Sequence, residues 1–555
     1  MELSADTRWE VEADVVVVGS GAGALTAATV AADAGLEVAL IERAPLLGGT
    51  TAVSGGVSWI PCNRWQAEAG LEDSRDAAHT YLFGLTQGRE YDPELIETYL
   101  DRAPEAIAYL ADNTPASFRV SGHYTDYFAD REGGMEVSRS LILEPFAARE
   151  ELGEWDELVR QSPHLPRITT DEIADATATN DPRNMGAVGD AVDTRAIIEG
   201  REREGIRVNG GSLVASLVKG LLDRGVEPWV ETRARELISD GRTIVGVVAE
   251  RRGEPTLLRA RRGVVLACGG YEWNPDLVLA FLGVRGVKPN SPPNNEGDGL
   301  LMGMHAGGSV ANMSVAWEYP VTATGEGTYE GAPVTTLANP RGEGGCILVN
   351  AGGRRFTNEA VAYQDLPKAF RAYDPVTQSY PNETAWLIFD REVRARVTVA
   401  DLNPDGPTPS WVHEAPSLPE LAAAIDVPAE ALVATVERWN EHCEGGVDTD
   451  FGRGTVWYEG LTSGGPDPAA ALARLEQAPF FAMPLYHGLN GTAGGLRVNS
   501  EAQVRRPDGK TIPGLYAVGS TAASIFGPMY PGAGGTIGQG ICFGYLAGRS
   551  LAARS

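Results

Sequence analysis

Gly19, Gly21, Gly23 and Ala24, within Gly19-Ser20-Gly21-Ala22-Gly23-Ala24, carry the first chemistry this chain advertises, completed by Glu42 about 20 residues on. Glycines at that spacing let a backbone turn tightly against a pyrophosphate, and the Ala/Thr-rich run after them opens a helix whose positive end faces the anion. Glu42 then falls where a carboxylate accepts ribose hydroxyls, with Arg43 beside it among the cofactor-binding residues. Such chemistry demands a buried parallel strand before the turn. Val15 to Val18 supply it, and Val38 to Ile41 supply the second strand that ends at Glu42.

The residues beyond Glu42 indicate which dinucleotide is held. Gly48-Gly49-Thr50-Thr51-Ala52-Val53-Ser54-Gly55-Gly56 adds a second Gly/Ser/Thr-rich backbone, suited to a long cofactor that continues past the pyrophosphate toward a flavin. FAD is favoured over NAD. A third piece lies near the C-terminus, where Gly514 to Ser520 reads as a strand ending in the Gly519-Ser520 turn, and Gly534-Gly535-Thr536-Ile537 opens the last helix. Between them, Gly263 to Gly270 reads as a hydrophobic strand ending at Ala267 to Gly269, and Glu296-Gly297-Asp298 begins a helix whose carboxylate could face the flavin. Histidine is absent from residues 44 to 58, which argues for a non-covalent flavin.

Composition sets wider bounds. A chain of 555 residues with 43% hydrophobic content supports two or three domains and large cores. The formal charge of −29, with no Lys/Arg cluster, argues against nucleic acid. Cys62, Cys268, Cys346, Cys443 and Cys542 stand singly, without metal or disulfide spacing, so no metal site is expected and a reducing cytoplasm fits. No run of about 18 apolar residues occurs, so no transmembrane segment is expected, while peripheral membrane contact stays open.

The fold class is α/β: a Rossmann-like FAD-binding domain with an inserted α+β substrate-capping domain. Residues 1–315 form the first part, with a helical insertion at about 74–194 whose loop-rich stretch 150–184 reads as a lid. Trp229 to Leu237, Thr243 to Glu250 and Leu257 to Arg259 read as short strands, and Asn209 starts an amphipathic helix. Residues 316–484 form the cap, and 485–555 return to the first domain.

Three local patterns narrow the function: Gly353-Arg354-Arg355-Phe356-Thr357-Asn358-Glu359-Ala360-Val361-Ala362-Tyr363, Asp448-Thr449-Asp450-Phe451-Gly452-Arg453-Gly454, and Tyr530-Pro531-Gly532-Ala533-Gly534-Gly535-Thr536. Together with Tyr124-Thr125-Asp126-Tyr127-Phe128 they resemble the 3-ketosteroid Δ1-dehydrogenases, within the wider group that includes fumarate reductase flavoproteins. The resemblance covers most of the chain. It implies removal of two hydrogens from the A ring of a 3-oxosteroid, with Tyr530 and the Gly534 N–H holding the C3 carbonyl. Tyr363 would take the C2 proton with help from Tyr127, and the C1 hydride would pass to FAD. A quinone or another carrier, rather than NAD, would then reoxidise the flavin, since only one nucleotide fingerprint is visible.

This sequence departs from the family pattern in residue type at two places, and its spacing between Tyr127 and Tyr363 is longer than the family's, consistent with an inserted lid. Ala360-Val361-Ala362-Tyr363 stands where many members show Ser-Leu-Pro-Tyr, and Pro528-Met529 replaces the usual His-Thr, so a reshaped pocket is expected. The rivals are a 3-keto-5α-steroid Δ4-dehydrogenase, a fumarate-reductase-like enzyme, and a flavin carrier without turnover. Gly491, where the fumarate enzymes place a histidine, speaks against a dicarboxylate, and a carrier has no need of a base and an oxyanion hole. His487 is expected to be structural or exposed.

Overall fold

The computed structural model describes residues 8–136, 139–173, 194–323, 327–463 and 467–554. Strand Val11–Val18 lies next to the edge of the first sheet, parallel to the edge strand Val38–Ile41 on one side and to Glu254–Leu266 on the other. Thr511–Ala517 continues the parallel order beyond Glu254–Leu266. Val15, Val16 and Val17 are completely buried, as a strand covered on both faces requires. The register pairs Val18 with both Ile41 and Leu266, and Leu266 with Ala517, so the carboxyl ends of four strands share one edge. That edge is where an open α/β sheet binds its ligand.

Three local readings are corrected. Leu257–Arg259 and Gly263–Leu266 belong to one strand, Glu254–Leu266, because Leu258 and Ala260 are buried while Arg259 and Arg261 alternate outward. Arg261 pairs there with Asp14 and Glu37, so the charges line the strand's outer face without interrupting it. The helix Asn209–Leu222 is buried on all faces except at Lys219 and Leu222, because it packs against both Ala22–Asp33 and the Gly49–Val53 turn. The strand expected to begin at Trp229 begins at Thr232.

The insertion after the first βαβ unit contains the helices Arg75–Thr86 and Pro93–Asn113 and a small sheet of Ser58–Trp59, Phe118–Val120 and Ser140–Leu143. Of the expected lid, 150–173 is described and 174–184 lies outside the described residues. The described part is held in place: Arg160 pairs with Glu330, Asp156 with Arg207, and the Ser162 hydroxyl donates to the Val53 carbonyl at 2.9 Å.

A second, mostly antiparallel sheet builds the cap from Ala316–Thr322, Phe480–Thr492, Ala385–Asp390 and Ile347–Asn350, backed by helices Leu418–Ala424 and Ala429–Gly445. The 13-residue strand Phe480–Thr492 runs straight through the expected boundary at 484, so the chain returns to the first domain only after Thr492. A separate apolar cluster of Val57, Tyr127, Ile142, Trp317, Ala362, Ala493, Tyr530 and Ala533 draws from the cap sheet, the small three-stranded sheet and the loops beside them. Among the described residues no helix is long and apolar enough to cross a membrane.

Candidate active site

The cofactor crevice opens at the shared strand edge. Gly19 has φ +110°, and a Cβ there would fall 2.2 Å from the Ala267 carbonyl oxygen, so only glycine lets the two strand ends close together. Helix Ala22–Asp33 then starts at Gly21 with no side-chain cap, although the Ala22 N–H donates to the Thr51 hydroxyl at 3.1 Å. A buried helix start without a side-chain cap is a ready anion site. Gly23 faces Gly540 and Gly544 of the last helix, Gly535–Ala553, where a Cβ on Gly544 would lie 2.4 Å from the Gly23 carbonyl. This close packing sets both helix starts beside the same crevice.

Other residues expected to hold FAD line or brace that region. Glu42 accepts from the Ser20 hydroxyl at 2.6 Å and from the Ala44 N–H at 2.9 Å, and the Ser20 oxygen accepts from Gly48 N–H. Thr50 accepts from Asn295, and Ser54 donates to the Thr51 carbonyl and accepts from Gly56 N–H. Gly55 precedes that turn, and Gly269 accepts from the Thr521 hydroxyl. A Cβ on Gly49 or Gly519 would meet nothing within 4 Å, and Ser520 follows in the Gly519–Thr521 turn. Open backbone beside the uncapped helix starts fits a long dinucleotide. Ile537 packs on the main core. Asp298 has other partners than the expected flavin: Arg233 binds its carboxylate at 2.7 and 2.9 Å, and Arg43 at 3.2 Å.

Three of the four expected catalytic residues meet through their hydroxyls and rings. Tyr127 Oη donates to Tyr363 Oη at 2.8 Å, and the Tyr127 ring lies 5.9 Å from that of Tyr530. Burial pushes both Tyr127 and Tyr363 well above the ordinary phenol value, but the hydrogen bond acts in opposite directions on the two. It favours the Tyr363 anion, because that oxygen accepts. Tyr530 is buried as well, yet its oxygen receives the Thr536 N–H at 3.3 Å at the start of the last helix, which works against the burial. A phenol that accepts from backbone N–H groups is a stronger donor from its own hydrogen.

Gly534, the fourth, caps the last helix at φ +94°, and a Cβ there would stand 2.3 Å from the Val57 carbonyl oxygen. Its loop is fastened from several sides. Tyr81 Oη donates to the Pro531 carbonyl at 2.6 Å, Tyr127 N–H to the same carbonyl at 3.1 Å, and Ser140 Oγ to the Ala533 carbonyl at 2.9 Å. Asp126, bridged to Gly532, accepts from Trp59 Nε1 at 2.7 Å and from Arg139 at 2.8 Å. Arg139 is fully buried between Asp126 and Asp73. Burial outweighs the arginine at Asp126 and lifts its carboxyl to about 6.

Several neighbours escaped the sequence reading. Trp317 lies 5.0 Å from the Tyr530 ring, Tyr319 stacks on Tyr363 at 4.4 Å, and Tyr458 lies 5.1 Å from Tyr127. The alternation Trp317, Tyr319 on strand Ala316–Thr322 was the available signal, since residues two apart share a face. Arg341, in the turn Asn339–Gly342, is buried beneath this aromatic layer. His487 stands on the cap strand Phe480–Thr492, 3.5 Å from Glu318 and stacked on Phe370. His442, Asp448 and Asp450 lie close enough to share an ion, but Asp448 is paired with Arg355 and Asp450 with Arg438.

Comparison with known proteins matches the model of the FAD binding domain over residues 14–537. The 4-oxocyclohexanecarboxylate 2-dehydrogenase of Sinomonas cyclohexanicum is 38% identical over 552 residues, spanning 98% of this chain and 93% of that one. The 3-oxosteroid 1-dehydrogenase of Mycobacterium tuberculosis is 34% identical, spanning 98% of each. Among solved structures, 3-ketosteroid Δ1-dehydrogenase from Sterolibacterium denitrificans, in complex with 1,4-androstadiene-3,17-dione, superposes with a TM-score of 0.88 at 31% identity, covering 98% of this chain and 99% of that one.

Proposed function

The chain belongs to the FAD binding domain family, among the 3-ketosteroid Δ1-dehydrogenases, and from that membership we propose that it introduces a C1–C2 double bond into the A ring of a 3-oxosteroid. It is an FAD-dependent dehydrogenase acting on a CH–CH group. The observation that carries the finer reading is the 2.8 Å hydroxyl pair of Tyr127 and Tyr363, packed against the Tyr530 ring.

Tyr530 and the Gly534 N–H hold the ketone oxygen, where negative charge builds as the neighbouring carbon loses its proton. Each such donor contributes ~10²- to 10³-fold to the rate. Tyr363 takes the C2 proton, and Tyr127, donating to the Tyr363 oxygen, favours its anion. When bound, FAD supplies the acceptor for the C1 hydride. One proton and one hydride leave, and the electron pair of the C2–H bond becomes the new double bond. Gly19 to Ala24, Glu42, Gly48 to Thr51 and Gly519 to Ile537 hold the FAD non-covalently, and a quinone or another carrier reoxidises it. The walls of Val57, Ile142, Trp317, Ala362 and Ala493 suit an apolar ring.

A second reading is a smaller cyclic ketone bearing a carboxylate, favoured by the 38% identity to the 4-oxocyclohexanecarboxylate enzyme. The test is anaerobic flavin bleaching with a 3-oxo-4-ene steroid, its 5α-saturated counterpart and 4-oxocyclohexanecarboxylate, with mass analysis of each product. Loss of two hydrogens at C1 and C2 of the steroid supports the first reading. A new 4,5 double bond selects Δ4 chemistry, and bleaching by the small acid alone selects the second reading.

A further inference from the structure

The least explained charge in the molecule is Arg341. It is 2% exposed, and among the described residues no carboxylate lies within ion-pair distance of it. Its Nε has no hydrogen-bond partner, while one Nη donates to the Val361 carbonyl at 3.0 Å, two residues before Tyr363. A guanidinium taken out of water without a carboxylate is costly unless the site uses the charge.

Its surroundings suggest that use. The Arg341 Cζ lies 5.8 Å from the Tyr319 ring, and Tyr319 stacks on Tyr363 at 4.4 Å and 26°. Tyr458, the second tyrosine that the guanidinium reaches, packs 5.1 Å from Tyr127. The cation thus contacts one supporting ring beneath each member of the hydroxyl pair. Arg341 favours the anions of Tyr319 and Tyr458, while burial raises both. The titratable groups facing Tyr363 are Tyr127 from the loop after Phe118–Val120, Tyr319 from Ala316–Thr322, Tyr458 from Trp457–Thr462 and Tyr530 from the loop before the last helix. All four are neutral phenols. Arg341 is the nearest positive charge that these contacts reach.

We propose that Arg341 is the positioning residue of the base: it fastens the Val361–Tyr363 turn and supplies the positive field in which the Tyr127–Tyr363 pair gives up a proton. This rests on Tyr363 acting as the base. Without the arginine, burial would oppose a negative charge on Tyr363, with only the Tyr127 hydrogen bond to offset it.

The test compares Arg341→Met and Arg341→Lys in the FAD-loaded enzyme, by the pH profile of kcat and by KM for a neutral 3-oxosteroid and for 4-oxocyclohexanecarboxylate. Arg341→Met is expected to lower kcat at pH 7 by ~10-fold or more, with the rising limb of the profile moved up by about a unit, and Arg341→Lys to recover most of that shift. KM for the neutral ketone is expected to change little. An unmoved pH profile with reduced melting temperature would leave Arg341 a purely structural residue and overturn the proposal. A KM increase confined to the carboxylated ketone would overturn it too, making Arg341 an anchor for a substrate carboxylate. If Arg341→Met does not fold, Arg341→Gln carries the same comparison. Full turnover in Tyr363→Phe would instead sink the underlying assignment of the base, whatever Arg341 does.

Discussion

Tyr127 and Tyr363, 236 residues apart in the chain, share a hydrogen bond of 2.8 Å in which Tyr127 is the donor. The direction of that bond divides the labour between two otherwise similar phenols. The bond favours the anion of Tyr363 and opposes that of Tyr127, so on the proposed mechanism Tyr363 is the one to take a proton and Tyr127 stabilises the negative charge it carries beforehand.

Removing the Tyr363 hydroxyl should therefore abolish turnover and spare the cofactor. Tyr363→Phe is expected to lose ~10²- to 10⁴-fold in the rate of flavin reduction, the range that general bases contribute. Tyr127→Phe should lose less, because it removes an assisting donor. Stopped-flow bleaching, normalised to bound FAD absorbance, separates the two. Equal losses would mean that the pair acts as one unit.

How much of this was legible in the sequence depends on the range of the physics involved. Gly19 and Gly534 sit with positive φ at a strand end and a helix start, local positions that leave a trace in neighbouring residue types, although the carbonyls they must clear, Ala267 and Val57, are distant in the chain. The meeting of Tyr127 with Tyr363 leaves none, since it depends on how the insertion and the cap are folded together; only the family resemblance supplied it. Trp317 and Tyr319 alternate on one face of a strand, a pattern that marks a buried face and says nothing about what it faces. Asn209–Leu222, expected to be amphipathic, is buried almost throughout, its Gly210, Gly211 and Ser216 small enough for neighbours to approach from every side.

On the opposite wall, Tyr530→Phe should reduce kcat by ~10²- to 10³-fold while substrate still docks. Gly534→Ala should do more harm, although it removes no hydroxyl. Its Cβ would stand 2.3 Å from the Val57 carbonyl oxygen, at a φ that costs a side chain ~1–3 kcal/mol. The loop must move, taking both donors with it. Melting temperature and kcat are expected to fall together in Gly534→Ala, and kcat alone in Tyr530→Phe.

Behind Tyr127, the fully buried Arg139 holds Asp73 and Asp126. Arg139→Met would leave two carboxylates without a counter-charge and is expected to cost about 3–5 kcal/mol of stability. Asp126→Asn keeps the shape and should cost far less, while slackening the strand-like bridge that pairs the Tyr127 loop with the Gly532 loop. Urea unfolding of both variants, beside their rates of flavin reduction, distinguishes lost stability from lost alignment.

Acid should stabilise this protein locally at Glu272. That side chain is 2% exposed, its Oε1 accepts from Ser291 and Asn295 at 2.6 Å, and its Oε2 has no partner. Burial is the main cause that lifts its carboxyl to about 7, against an ordinary value near 4.3. A raised folded-state value means that the folded chain binds more protons than the unfolded one between about 4 and 7. The stability Glu272 contributes is therefore fully present below about pH 4 and is lost as pH rises through about 7. Glu272→Gln removes the titration and keeps the shape, so its melting temperature should exceed that of the parent at pH 8 and the gap should shrink as pH falls to 5.5. Melting curves of both proteins across that range test the sign. A gap that widens toward acid would mean that Glu272 stays charged in the folded state across that range and that its Oε2 has found a donor.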